Sequence, residues 1–94
     1  MDLARYSKAT GMQLNWVEDY RLRVRVLGDA DRGYEVVIEG NAAGLHSLGQ
    51  HLLSLSQPDV PEGFHLHLDQ ETVLDAPSAE LVLDRGNDPG AHEG

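Results

Sequence analysis

The sequence contains no cysteine. Disulfide bonds and thiolate metal sites are therefore excluded, and the composition fits a reducing compartment. The longest uninterrupted apolar runs are only a few residues, and the charged start MDLARYSKATG lacks the apolar stretch of a secretory signal. We therefore expect a cytoplasmic protein that makes no membrane contact.

Basic residues are scarce. Seven lysines and arginines stand against sixteen aspartates and glutamates, which gives a formal net charge of −9. Such a chain repels a phosphate backbone, so we expect no binding to nucleic acid. The acidic excess is concentrated in residues 59–94, which contain nine acidic residues and one basic residue. This distribution favours a basic protein as the partner.

The chain is also short. Its ninety-four residues predict a single domain, which we place at residues 1–85, followed by a disordered polar tail at residues 86–94. A core this small leaves little margin of stability, so a homodimer or another bound partner would help to stabilise it.

Two alternating stretches predict a β-hairpin, with GDADRG between them as the turn. The stretches are RLRVRVLG at 21–28 and YEVVIEG at 34–40. Apolar residues occupy every second position, so the arginines and glutamates share the opposite face. We expect Arg25 to pair with Glu35 and Arg21 to pair with Glu39 across the hairpin.

After Gly40 the apolar period changes to that of a helix, and Asn41 is a suitable N-cap. The leucines predicted to face the sheet are Leu45, Leu48, Leu52 and Leu55. We expect Leu48 and Leu52, one turn apart, to lie at the centre of the core. Gly49 lies near this leucine face and is expected to let the helix pack closely on the sheet.

Further strands are predicted after the helix. They are FHLHLD at 64–69 and ELVLDR at 80–85, and MQLNWV at 12–17 is a candidate for an extra N-terminal strand. The order ββαββ predicts an α+β fold of two layers, a mostly antiparallel sheet with one helix packed on one face.

The stretch FHLHLD raises the question of a metal site. His65 and His67 project from the same face of a strand, where their ring nitrogens can converge on an ion. Asp69 lies roughly 13 Å from His65 along an extended strand, and His46 and His51 belong to the helix on the other side of the sheet. We therefore expect no metal and no cofactor. The alternative that stays open is a small metal-binding protein or metal-dependent enzyme that uses His65 and His67.

Catalytic signatures are missing from the sequence. It has no cysteine nucleophile, no Gly-x-Ser-x-Gly elbow, no Walker loop and no His-Glu-x-x-His motif. Paired acids such as Asp69 and Glu71 are more typical of a solvated edge than of a general acid and base. The sequence thus favours a binding protein over an enzyme.

Three motifs in succession resemble a known family. The motifs IEGNAAGLHSLGQHLLSLS, FHLHLD and SAELVLDR, between Ile38 and Arg85, are similar to the immunity protein 32 family of bacterial polymorphic toxin systems. The order of these short motifs carries more weight than any one of them. The resemblance implies a small cytoplasmic protein that protects its producer by binding and blocking a toxin.

The acidic last third is where we expect such a toxin to dock, and a basic toxin surface would complement it. The residues predicted to contact the toxin are His65, His67, Asp69, Glu71, Asp75, Glu80 and Asp84. The predicted third and fourth strands and their connection contain no lysine or arginine before Arg85 to neutralise these acids, whereas the first hairpin balances its own charges.

Overall fold

The computed structural model describes residues 3–9, 11–12 and 14–87 of the chain. Its elements are β1 (Leu22–Asp29), β2 (Gly33–Gly40), α1 (Ala42–Leu55), β3 (His65–Leu68) and β4 (Leu81–Asp84). This order confirms the predicted ββαββ arrangement and the α+β class. Residues 88–94 of the predicted tail lie outside the described residues.

The segment before β1 packs on the helix and forms no named strand in residues 14–17, while Gln13 lies outside the described residues. The backbone N–H of Val17 donates to Ser47 Oγ at 2.8 Å. The Trp16 ring meets the His51 ring edge-on, with centroids 4.3 Å apart. The alternation of Leu14 and Trp16 therefore reflects packing against α1, and the predicted extra strand is wrong.

The strands form two separate antiparallel pairs, β1 with β2 and β3 with β4. An irregular segment, residues 75–79, runs along the other edge of β1. The Asp75 N–H donates to Leu22 O at 2.8 Å, and the Ala79 N–H donates to Val24 O at 2.9 Å. A regular strand would supply donors two residues apart, but residue 77 is a proline and has no N–H. This segment therefore does not continue the sheet from β1.

The serine of this segment completes the connection. Ser78 Oγ accepts a hydrogen bond from the Val24 N–H at 3.2 Å and donates to Asp75 O at 2.5 Å. The hydroxyl thus stands between two backbone groups that would bond directly in a regular sheet.

The first hairpin has the predicted faces but a different register. Arg23 lies opposite Glu39 and Arg25 lies opposite Val37, so both predicted arginine–glutamate pairings are wrong by two residues. The strand β1 extends to Asp29, whose Oδ1 accepts from the N–H groups of residues 31 and 32 and closes the turn. Glu39 instead contacts two arginines, Arg23 at 3.3 Å and Arg25 at 3.9 Å.

The helix begins as predicted. The Asn41 side-chain oxygen accepts from the Gly44 N–H and from the Arg21 N–H, both at 2.8 Å. The same side chain therefore caps α1 and ties its first turn to the start of β1. The fourteen residues of α1 are too few to span a bilayer, and the described part of the chain contains no candidate membrane-spanning helix.

The buried face of α1 differs from the predicted one. It consists of Gly44, Ser47, Leu48, His51, Ser54 and Leu55. Leu45 and Leu52 are each 48% exposed, so two of the four predicted core leucines face outward. Nothing approaches within 4 Å of a Cβ placed at Gly49, which makes its predicted role in close packing wrong as well.

Gly44 is the glycine that allows α1 to pack closely. A Cβ at this position would lie 1.9 Å from the backbone oxygen of Arg21. The helix therefore turns its small residues toward β1 and the N-terminal segment, and the core contains Leu22, Val24, Leu48, Leu68 and Leu74. A smaller cluster of Met12, Leu55 and Val60 lies beside it.

His51 is part of this core. Its side chain is 1% exposed, and its Nε2 atom has no hydrogen-bond partner among the described residues. Burial disfavours the charged imidazolium and lowers the pKa of His51 from its ordinary value of 6.5.

This burial predicts a pH dependence of folding. Between about pH 8 and pH 5 the unfolded chain takes up a proton at residue 51 more readily than the folded protein does. His51 therefore leaves the free energy of unfolding unchanged well above pH 6.5, where it is neutral in both states. As the pH falls through 6.5 toward the lowered pKa, the free energy of unfolding decreases. The free energy of unfolding, measured with denaturant across this range, should decline toward acid pH in the parent protein and decline less in His51→Leu.

The exposed histidine of the same helix supplies the control. His46→Gln replaces an exposed histidine of α1, so it separates the burial of His51 from the loss of a histidine in general. The comparison is between slopes, so a uniform loss of stability in His51→Leu does not affect it. Equal slopes in the parent and His51→Leu would contradict the prediction.

Candidate partner-binding surface

The outer face of the β3–β4 hairpin gathers four of the predicted contact residues. His65 lies opposite Asp84 and His67 lies opposite Val82, and residues directly opposite each other project from the same face. Glu80 comes just before β4, and its Oε2 lies 3.0 Å from His67 Nδ1. Leu66 and Leu68 point to the other side, toward the core clusters. The alternation in FHLHLD is therefore confirmed.

The two histidines contact each other but do not gather a metal site. Their rings meet edge-on with centroids 4.9 Å apart. His65 Nδ1 lies 3.0 Å from Gly63 O, and His67 Nδ1 is occupied by Glu80. Within the described part of the chain, no group of three or more histidine, aspartate or glutamate residues could hold an ion. These side chains are arranged as an exposed polar row with Glu80 as a neighbour.

Asp69 organises the loop that follows β3. Its Oδ1 accepts from the Glu71 N–H, the Thr72 N–H and the Thr72 hydroxyl at 3.1, 3.0 and 2.8 Å. The Thr72 hydroxyl bond and the two backbone bonds hold the pKa of Asp69 below its usual value. This carboxylate therefore bonds to its own loop and fixes the conformation of that part of the surface.

Asp75 ties the connection between β3 and β4 to the start of β1. Its Oδ2 accepts from the Leu22 N–H at 3.0 Å, and its Oδ1 lies 3.4 Å from Arg21 Nη1. The prediction that no base before Arg85 neutralises these acids is therefore wrong for Asp75. Nearby, the Tyr20 hydroxyl donates to Val73 O, and burial together with the Asp75 charge raises the pKa of Tyr20.

The sequence analysis predicted neither the loop-forming role of Asp69 nor the contact of Asp75 with β1, although the sequence contains a signal for the first. An aspartate followed by Thr72 three residues later is a pattern that closes turns through the side chain. The contact of Asp75 with β1 spans more than fifty residues of chain, and no local pattern indicates it.

Glu71 and Asp84 differ from these two acids. Both are exposed, and neither side chain makes a hydrogen bond or ion pair within the described residues. Their charges are therefore directed to solvent.

An apolar residue that the sequence reasoning passed over lies among these charges. Val82 projects between the acidic side chains and is 45% exposed. It also lines, with Leu52, a shallow cavity of about 420 Å³ between α1 and β4. An exposed apolar centre with a charged rim is the common arrangement of a protein-binding surface. We name the acidic hairpin face by these outward residues of the hairpin, His65, His67, Glu80, Val82 and Asp84, together with the exposed Glu71 of the loop that follows β3.

Comparison with known proteins identifies a family. No curated protein and no solved structure matches the chain. The family model of Immunity protein 32 matches residues 35–86, which is more than half of the chain and runs from β2 to just beyond β4. The resemblance carried by the motifs is thereby confirmed, and the chain belongs to the Immunity protein 32 family.

Proposed function

We propose that this protein binds and neutralises a cognate bacterial toxin by protein–protein contact, in the cytoplasm of the cell that produces both. Membership of an immunity protein family is the observation that carries the proposal. The match covers most of β2 and all of α1, β3 and β4, and so it includes every residue of the acidic hairpin face.

The acidic hairpin face is the proposed docking surface. Glu71 and Asp84 leave their charge unbalanced there, and most of the chain's net charge lies in the same third of the sequence. Such a surface attracts a basic partner over a distance and speeds the first encounter. Val82 would then supply apolar contact at the centre, with His65, His67 and Glu80 at the rim.

Asp69 and Asp75 have a different part in this proposal. Both carboxylates are engaged in hydrogen bonds that hold the connection between β3 and β4 in place. We therefore assign them to the shape of the docking surface, whereas the other predicted residues would touch the toxin.

Protection of cells tests the function itself. We expect a toxin gene beside this one, and its toxin domain should arrest growth when expressed alone in a susceptible bacterium. Co-expression of the parent protein should restore growth, and the two proteins should co-purify. A toxin that remains fully active, with no complex formed, would refute the proposed function.

Charge reversal tests the docking surface. Replacing Glu71 and Asp84 by lysine should slow association with the toxin by about tenfold or more at low salt, because the steering charge changes sign. The difference should shrink as added salt shortens the screening length to about 8 Å at physiological ionic strength. Stopped-flow or surface-plasmon measurements of the association rate constant would record both effects.

A second double variant controls for net charge. Glu18→Lys with Asp31→Lys makes the same change in total charge at exposed positions away from the acidic hairpin face. It should associate faster than the first double variant. Equal association rates for the two would place the docking surface elsewhere on the molecule, even if the protein still neutralises the toxin.

A further inference from the structure

The outer edge of β2 has free backbone groups. The N–H and C=O groups of Leu22 and Val24 bond to residues 75–79, so the alternate residues of β1 form the ladder with β2. Their partners in β2 are Glu35, Val37 and Glu39. The intervening residues, Tyr34, Val36 and Ile38, therefore direct their N–H and C=O groups away from β1, and no described residue bonds to them.

The same three residues carry an exposed row of apolar side chains. Tyr34, Val36 and Ile38 are 67%, 59% and 41% exposed, and Val26 beside them is 50% exposed. Native edge strands are usually kept short or protected by lysine, proline or a bulge. β2 is eight residues long and contains neither lysine nor proline. An edge of this length and composition is suited to pairing with another strand.

The charge distribution indicates which strand would pair with the outer edge of β2. Residues 21–40 contain four arginines and four acidic residues, so the first hairpin is neutral and the remaining residues carry the whole net charge of −9. Two copies of the chain repel each other at most surfaces, but they can approach without this penalty at β2. A basic toxin would gain little attraction at a neutral edge. We propose that β2 pairs in antiparallel fashion with β2 of a second copy, which joins two hairpins into one continuous sheet.

The side chains select one register for this pairing. With Val36 on the two-fold axis, Val36 lies opposite its own copy and Tyr34 lies opposite Ile38 of the second copy. Glu35 then lies opposite Val37 of the second copy. A shift of two residues in either direction would place Glu35 opposite Glu35 or Glu39, and like charges in direct opposition are unfavourable.

The helix adds to the same contact. A Cβ at Gly40 would lie 3.4 Å from Leu45 Cγ, so the exposed Leu45 is on the apolar face of the hairpin. In the antiparallel pairing, the end of β2 in one copy lies beside the start of β2 in the other. Leu45 of the second copy is thereby brought toward Tyr34, which is the most exposed large apolar side chain among the described residues.

Sedimentation equilibrium or light scattering of the purified full chain tests the proposal without any toxin. The parent protein should show a concentration-dependent dimer. Val36→Lys places two positive charges opposite each other on the axis and should raise the dimer dissociation constant by roughly tenfold or more. Val82→Lys, at an exposed apolar position on β4, is the matched control and should leave the dimer intact.

Mixing variants tests the register. Val36→Glu should also weaken the dimer, but an equimolar mixture of Val36→Glu and Val36→Lys should restore it, because opposite charges then meet on the axis. Circular dichroism and melting temperature should show that both variants are folded. A monomeric parent protein, a Val36→Lys variant that still dimerises, or a mixture that stays monomeric would each overturn the proposal. A monomeric parent whose toxin binding is lost in Val36→Lys would assign this edge to the toxin instead.

Discussion

Gly44→Ala is expected to lower the free energy of unfolding by about 3 kcal/mol or more, which is a large fraction of the stability of a small domain. The added Cβ would lie 1.9 Å from the backbone oxygen of Arg21 and 2.8 Å from its carbonyl carbon. Backbone atoms cannot rotate away as a side chain can. The clash is relieved only if α1 moves off the start of β1, and this movement would break the hydrogen bond from the Arg21 N–H to the Asn41 side chain.

The second glycine of the helix is the control for Gly44. A Cβ at Gly49 meets nothing within 4 Å, so Gly49→Ala should raise stability by roughly 0.5 to 1 kcal/mol through helix propensity. Denaturant unfolding of the two variants should therefore give changes of opposite sign. If Gly44→Ala were as stable as Gly49→Ala, the close contact between α1 and β1 described above would be wrong.

The contrast between these glycines shows which features sequence patterns predict and which they do not. The strands, the helix and its Asn41 cap follow from local alternation, period and capping chemistry, which a short stretch of sequence contains. The face that a helix buries depends on what it packs against. In α1 this is decided by the backbone of Arg21 and the N–H of Val17, both distant in sequence, so a count of leucines selected the wrong face.

The register of the first hairpin depended on a similar detail. Both the predicted and the observed register keep the arginines and glutamates on one face, so alternation could not distinguish them. The observed register follows from the turn, because Asp29 bonds to two backbone N–H groups there and β1 extends as far as this residue. A difference of two residues changes the partner of every charge without exposing the core.

The candidate docking surface was likewise predictable only in part, from the local alternation of its strands. Alternation placed His65 and His67 on the outer face, and the opposing strand brings Asp84 beside them. The role of Asp69 rests on bonds to its own loop, which its local sequence pattern indicates, whereas the role of Asp75 depends on a contact with β1 that only the folded chain creates. Reversing those two charges would disturb the fold as well as the surface, which is why Glu71 and Asp84 are the better positions for testing toxin binding.

Leu48→Ala should cost roughly 2 to 5 kcal/mol, the range for removing most of a buried leucine side chain and leaving a cavity. Leu48 is 6% exposed and is the leucine of α1 that packs in the larger core cluster with Leu22, Val24 and Leu68. In a domain of this size such a loss approaches the whole free energy of folding. We expect the variant to melt far below the parent or to be recovered unfolded.

Leu52→Ala, one helical turn later, separates the two candidate orientations of α1. The predicted leucine face would make Leu52 as important as Leu48, whereas the structure leaves its side chain 48% exposed. The change should therefore cost about 1 kcal/mol or less. Because both variants replace leucine by alanine in the same helix, propensity effects cancel and the difference between them reports burial. Denaturant unfolding that gives equal losses for Leu48→Ala and Leu52→Ala would require α1 to be rotated from the orientation described above.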